Sequence, residues 1–432
     1  MFAYYLQLSL RSLRRNVALT ALMILAIAFG VGASMTTLTV LRILSKDPIP
    51  SKSHDLYYVQ LDPRKVDGQR PGEEPPRQST RRDAEELLRQ HRGDKQALMT
   101  GGSAAINPDR ADLKPFFVYS RWTSRDFFPM FETPFVAGGP WSADDDEHAA
   151  PVAVIARSLA EKLYGTTEAV GKTVSVDGKP LRVVGVTDTW RVSPHFYDLN
   201  LGAYATMEEL WVPWSTSREL HFTRNGSMNC WDETKDEEGV GAPCEWIQYW
   251  VELHGADAAA KYKEYLVQYS LSEKAAGRFQ REPNVRMSNV MEWLDYNKVV
   301  PSDVKLQTYL AFAFLLVCLI NTVGLLLTKF LRRAADIGVR RALGASKRSI
   351  FLQLLVESGA IGLAGGIVGL GLAYLGLWAV RQQPTHYAQL AHMDTTMLAA
   401  TFALSIAASL LAGLLPAWRG CQITPAVQLK SH

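Results

Sequence analysis

The sequence predicts an α-helical membrane protein with four transmembrane helices and a large α+β domain of two lobes inserted between the first and second spans. Three observations lead there. Four apolar runs, one before residue 46 and three after residue 303, are each long enough for the roughly 20 residues that cross a bilayer. The stretch between, residues 46–303, has ordinary soluble composition and enough length for a real core. Basic residues gather at the span ends, so the net charge of +3 says little about partners. No basic patch interleaved with aromatics appears elsewhere, which argues against nucleic acid.

Residues 1–45 are an N-terminal cytoplasmic segment and the first helix. Arg11, Arg14 and Arg15 precede the almost uncharged run Val17–Leu44. A secretory signal has an apolar core of only about 7–15 residues, so this run reads as an uncleaved helix. Its cationic end keeps the N-terminus inside. Ala26, Ala28, Gly30, Gly32, Ala33 and Ser34 would let another helix approach closely, although small residues are common in spans.

Residues 46–303 then lie outside the cytoplasm. Residues 56–61 read as a strand and 71–78 as an exposed Pro/Glu-rich loop. Ser79 can cap a helix running to about His91, with Ala84, Leu87 and Leu88 inward. Residues 116–121 and 152–155 are strands, and 157–164 is a helix with Leu159 and Leu163 on one side. Residues 173–176 and 181–186 form a hairpin around Asp177-Gly178, a preferred two-residue turn. Residues 165–173 imitate a phosphate-binding loop. Five residues separate the glycines where four are needed, and the segment follows a helix rather than opening one. Residues 246–254 are a strand alternating at Ile247, Tyr249 and Val251. Residues 256–274 are a helix whose stripe of Tyr262, Tyr265, Leu266 and Tyr269 suits core better than a ligand site. Residues 285–289 return as a strand, and 293–300 lead back to the membrane.

Cys230 and Cys244 bracket an acidic loop. Outside the cytoplasm, cysteines this close are expected to pair. Closing so short a loop constrains the unfolded chain by about 3 kcal/mol in the entropic account. A metal site would need more ligands, and only His221 lies near, so no metal is expected. Cys318 and Cys421 should stay reduced.

Residues 304–329 are the second span, with Asn321 inside it as a candidate for an interhelical hydrogen bond. Residues 330–349 form a basic cytoplasmic loop. Lys329, Arg332, Arg333, Arg340, Arg341, Lys347 and Arg348 stand there against one acid, Asp336. On composition alone the loop is a topology signal. Yet residues 336–343 read as a short helix with Ile337, Arg340, Arg341 and Leu343 available for one docking face. Gly344 can close that helix and Ser346 can cap the next. Residues 350–380 are the third span, where Gly362, Gly365, Gly366 and Gly369 make two overlapping Gly-x-x-x-Gly pairs for helix packing. Glu357 reads as sitting near the interface, within reach of a basic side chain; the alternative is a buried charge that moves. Residues 381–395 are a short outer loop and 396–416 the fourth span, ended by Pro416. Residues 417–432 are a cytoplasmic tail held inside by Arg419 and Lys430.

The run from Asp336 to Arg348, Asp-Ile-Gly-Val-Arg-Arg-Ala-Leu-Gly-Ala-Ser-Lys-Arg, resembles the cytoplasmic loop of MacB/FtsX-like ABC transporter permeases. Their usual pattern is Glu-Ile-Gly-(Ile/Val)-Arg-(Arg/Lys)-Ala-(Leu/Val)-Gly-Ala. Asp336 stands where Glu is usual and keeps its charge. Residues 124–141, the block from Val152 to Gly165, and the tail after Pro416 are similar to other parts of that family, so the resemblance covers nearly the whole chain.

The resemblance implies a MacB-type periplasmic core domain at 46–303 and a coupling helix in the 330–349 loop. Asp336, Ile337, Gly338, Arg340, Arg341, Leu343 and Gly344 would then be the ATPase-coupling residues. It implies a permease without catalysis or cofactor of its own, ATP and Mg being bound by a separate ABC ATPase subunit. It implies a second permease, as a homodimer or a related heterodimer, among membrane lipids. A periplasmic adaptor and an outer-membrane channel are further candidate partners. The place implied is a bacterial inner membrane with both termini cytoplasmic. The function implied is mechanotransmission, in which ATP hydrolysis moves the periplasmic domain to export or extract cargo such as drugs, peptides or lipid-linked molecules. The competing class is a membrane-anchored periplasmic sensor or enzyme without an ABC partner. A hydrolase reading finds no Gly-x-Ser-x-Gly and no His-Glu-x-x-His, and the nine histidines are scattered.

Overall fold

The computed structural model describes residues 8, 12, 16–383 and 392–422. Arg11, Arg14, Arg15, Lys430 and most of the 381–395 loop lie outside the described residues. The chain divides into two compact units: Lys46–Val299, and Met1–Ser45 with Val300–His432.

The helical unit opens with α1 (Val17–Leu44). The sheet unit then runs β1 (Leu56–Gln60), β2 (Ser79–Thr80), α2 (Arg81–Gln90), β3 (Lys95–Asn107), β4 (Phe116–Thr123), β5 (Phe135–Gly138), β6 (Val152–Ala156), α3 (Arg157–Tyr164), β7 (Thr173–Val176), β8 (Lys179–Thr187), β9 (Leu210–Pro213), β10 (Arg224–Asn225), β11 (Asn229–Cys230), β12 (Cys244–Glu252), α4 (Ala256–Ala275), β13 (Arg286–Asn289) and α5 (Val290–Tyr296). One sheet path joins its strands in the order β13-β1-β12-β3-β4-β9-β6-β8-β5. The β4–β9 and β6–β8 pairs are parallel, and the other neighbours on the path are antiparallel.

β12 is the spine of this sheet, and all nine of its residues are buried. Ile247, Tyr249 and Val251 join one core with Leu87 of α2 and Leu266 of α4. Trp250 joins the opposite core with Tyr58, Phe131 and Trp293. Covering both faces removes the polar side that an alternating strand would otherwise show water. The expected aromatic stripe on α4 is indeed core: Tyr262, Leu266 and Tyr269 are buried. At one edge, β1 pairs β13 from Tyr57↔Asn289 to Gln60↔Arg286, so the strand by which the chain enters the sheet lies against the one by which it leaves.

Three local expectations change. The cap of α2 is Thr80, whose hydroxyl accepts from the Asp83 N–H at 3.1 Å; Ser79 instead pairs with β12. β3 had no clear sequence signal because Gly101, Gly102, Ala104 and Ala105 dilute its pattern. Gly102 is needed there, since a Cβ would fall 2.2 Å from the Trp122 ring. The hairpin forms as expected, with Asp177 (φ 48°) and Gly178 (φ 77°) both left-handed, but β8 begins at Lys179, two residues before the expected start at 181.

Buried charge in this unit is paired. Arg121 lies fully buried between Asp198 (2.5 Å) and Glu208. Burial alone would raise the Glu208 carboxyl, but Arg121 and then His195 outweigh it and hold it well below the usual range. Glu245 is the contrary case. Burial pushes it up to about 7, and the single Asn229 hydrogen bond (3.1 Å) offsets this only in part. The folded state therefore keeps a proton that the unfolded chain releases near pH 4, so stability falls as pH rises from about 4 to 7. Glu245→Gln is expected to leave stability at pH 4 nearly unchanged. At pH 8 it should add on the order of 3 kcal/mol, read as a higher thermal midpoint. An equal shift at both pH values would refute the assignment.

The helical unit continues with α6 (Ser302–Leu331), α7 (Ala334–Ala342), α8 (Lys347–Arg381) and α9 (Thr395–Cys421). Among the described residues, four helices, α1, α6, α8 and α9, are long and apolar enough to cross a membrane. α9 does not stop at Pro416 but runs on to Cys421. Pro416 is buried among its neighbours, and packed spans tolerate the lost donor. The glycines of α8 serve two different neighbours. A Cβ at Gly362 or Gly366 would meet Ser405 and Ser409 of α9, whereas one at Gly365 or Gly369 would meet Ile27, Ala28 and Val31 of α1. The two overlapping pairs are thus two adjacent joints on one face of α8, one to α9 and one to α1.

Candidate functional site

α7 hangs between two spans on very short connections. Only Arg332 and Arg333 separate it from α6. Its far end closes as a Schellman turn: the Gly344 N–H bonds the Arg341 carbonyl at 3.1 Å, and the Ala345 N–H bonds that of Arg340 at 3.0 Å. Gly344 supplies the left-handed residue (φ 98°). Ser346 then caps α8, accepting from the Ser349 N–H at 3.2 Å. Both ends of α7 are thus held close to the spans it joins, by a two-residue link at one end and a hydrogen-bonded turn and cap at the other.

The outward side of α7 carries only part of the expected set of residues. Ile337 and Gly338 are buried, and Ile337 packs with Leu326, Phe330, Ile350 and Leu354. Arg340 turns back to donate to Gln353 of α8 at 3.0 Å. Outward stand Val339, 56 % exposed, and Leu343, 83 % exposed, with Asp336 on the same open side of the turn. Ile337 and Leu343 lie about 240° of rotation apart around a helix, so they cannot share one face. With Ile337 packed inward, Val339 and Leu343, one turn apart, are left as the apolar surface.

Behind α7 sits a cluster of buried charge. Glu357 of α8 is 1 % exposed, and Lys329 of α6 is fully buried. Lys329 Nζ lies 2.8 Å from Glu357 Oε1, and an Arg333 guanidinium nitrogen 2.9 Å from Oε2. Ser12 donates to the same carboxylate and accepts from Arg333 at 2.7 Å. Lys329 also reaches Thr20 of α1 at 3.4 Å. The carboxylate thus ties α1, α6, the start of α7 and α8 together. Sequence reasoning took Lys329 and Arg333 for topology charges, because their partner is supplied by a different helix.

Asn321 does not pack within the unit. It is exposed on α6, beside Val317 and Ile320 and one turn from the exposed Gly324. In the external unit, Cys230 and Cys244 face each other across the β11–β12 pair and are joined by a disulfide. The 165–173 segment leaves α3 at Gly165 and enters β7 at Thr173, so no helix N-terminus points into it.

The profile of the MacB-like periplasmic core domain matches residues 20–269, more than half of the 432-residue chain. The chain belongs to this MacB-like family. The FtsX-like permease C-terminal profile matches residues 309–425 of the same MacB-like chain. Among curated relatives, the macrolide export ATP-binding/permease protein MacB of Chlorobium luteolum is 24 % identical over 99 % of this chain and 60 % of its own length. The pyoverdine export ATP-binding/permease protein PvdT of Pseudomonas savastanoi pv. phaseolicola is 24 % identical over 77 % of this chain and 45 % of its own. The uncharacterized ABC transporter permease YknZ of Bacillus subtilis is 26 % identical over 52 % and 48 %. The chain spans about half the length of the curated relatives it matches. It is a multi-pass MacB-like membrane protein with FtsX-like permease architecture and a periplasmic or extracellular domain.

Proposed function

We propose that this chain is the membrane permease subunit of a MacB-like ABC transporter in a bacterial inner membrane. ATP and Mg are bound by a separate ATPase subunit. The power stroke enters at α7 and moves the external domain to export or extract cargo. The observation that carries this reading is α7 itself, a short helix clamped at both ends between two spans with Val339 and Leu343 turned outward. No described residue of its own unit covers this apolar pair on a cationic, membrane-proximal loop, and an ATPase groove would cover it.

Asn321 supports a second permease. An amide exposed on a span has no hydrogen-bond partner in lipid, and the same residue of a paired chain can donate and accept in return. An adaptor and an outer-membrane channel fit the same scheme, and the relatives' names favour export over sensing.

The test is affinity purification of the full chain in mild detergent, with the co-purifying proteins identified by mass. An ABC ATPase in stoichiometric amount is the expected outcome. A kinase, or a substrate-dependent hydrolytic activity with no ATPase present, would overturn the reading.

A further inference from the structure

A groove of about 1540 Å³ crosses the external unit beside α2 and the short helix Trp214–Glu219. Trp214 lies in it, with Trp246 packed behind at 5.6 Å between ring centroids. Three guanidinium groups converge there from separate elements: Arg81 of α2, Arg218 of the short helix and Arg224 of β10. Arg81 and Arg218 lie over the Trp214 ring, and Arg218 and Arg224 over that of Trp246, at 5.1–6.0 Å. All three turn to one residue, Glu238. Arg218 and Arg224 hold its carboxylate, the latter at 3.2 Å, and Arg81 donates to its main-chain carbonyl at 3.0 Å.

Glu238 belongs to the acidic loop that the Cys230–Cys244 bond closes. The loop's turn is its own, with the N–H groups of Glu238 and Gly239 folded onto Asp236. Beyond its base it is tied to the body at Glu238 and by the half-exposed Lys65–Asp232 pair at 2.5 Å. A segment on so short a tether competes for its seat at an effective concentration in the millimolar range. Lifting it would take Asp236, Glu237 and Glu238 out of the groove. Arg81, Arg218 and Arg89 would remain in the lining, with Arg224 behind them over Trp246; Glu85, paired to Arg81 at 2.7 Å, and Asp146, Glu147 and Glu219 also line the groove. The contacts read a glutamate side chain and its own carbonyl together, which is the signature of a peptide rather than of a free anion.

We propose that this groove is a binding site for an acidic peptide segment of a cargo or partner protein, occupied in the resting chain by Glu238 of its own disulfide-closed loop. The proposal stands apart from the coupling role of α7. Its test is fluorescence anisotropy on the full chain in detergent. The probes are a labelled peptide of the loop sequence Lys-Asp-Glu-Glu-Gly-Val and the same peptide with Gln for each acid. Glu238→Gln should bind the acidic peptide at least tenfold more tightly than the wild type and should not bind the Gln peptide. Adding Arg224→Gln should remove that gain at an unchanged melting temperature. Asp232→Asn, which loosens the loop without touching the arginines, should raise affinity in the same direction and serves if Glu238→Gln does not fold. Equal binding by wild type and both loop variants, or equal binding of the two peptides, would show that Glu238 is only a structural clasp.

Discussion

Val339→Gln with Leu343→Gln is expected to abolish stable association with the ATPase and, with it, transport, while the permease still inserts and folds. Both side chains stand on the open face of α7. Polar replacements at such exposed positions change stability by no more than about 0.5 kcal/mol. If they are the anchors of an interface, their loss costs at least about 2 kcal/mol, roughly 30-fold in affinity. The measurement is the ATPase-to-permease ratio after affinity purification, beside the thermal midpoint of the permease. Ile337→Gln should behave in the opposite way. Ile337 is 5 % exposed in the core of the helical unit, so that change should lower the midpoint and the yield. Reversing Arg340 and Arg341 would mix both effects, because Arg340 holds Gln353. Normal co-purification and transport by the double Gln variant would remove α7 from the ATPase interface.

Glu357→Gln should be among the most damaging single changes in the helical unit. It leaves Lys329 buried opposite a neutral amide, and a buried charge stripped of its partner costs about 3–5 kcal/mol. Replacing both members tests whether charge balance, rather than the individual side chains, matters. Lys329→Met with Glu357→Met removes the buried pair together. Arg333, whose side chain is 16 % exposed, can turn outward. The double variant should recover most of the lost thermal stability in detergent. A double variant less stable than Glu357→Gln would show that the cluster works through specific hydrogen bonds, such as those of Ser12, and not through charge.

Much of this architecture was legible because membrane physics writes it locally. The span Val17–Leu44 appears in the fold with the bounds its composition gives, and Gly344 and Ser346 end and begin helices where their chemistry says they should. What was not legible depends on partners distant in sequence. β3 is a strand because β4 and β12 hold it, although its own glycines and alanines say little. Asn321 was read as a candidate for an interhelical hydrogen bond, and nothing local to residue 321 tells which face of α6 the other helices of the chain cover. The outward side of α7 could not be read either, because nothing local to the loop tells that Leu326, Phe330, Ile350 and Leu354 cover Ile337. Burial of Lys329 could not be read without knowing that Glu357 lies opposite.

The antiparallel pairing of β1 with β13 has a mechanical consequence. The chain enters at the N-terminal end of β1 and leaves from the C-terminal end of β13, and these ends adjoin at Tyr57 and Asn289. The two legs therefore form a zipper. A force that spreads them would first meet the bond from the Val290 N–H to the Ser53 carbonyl at 3.2 Å and then open the ladder rung by rung from Tyr57 and Asn289, where the Trp293 ring stacks on Tyr58 at 3.8 Å. A force that carries both legs the same way loads no rung.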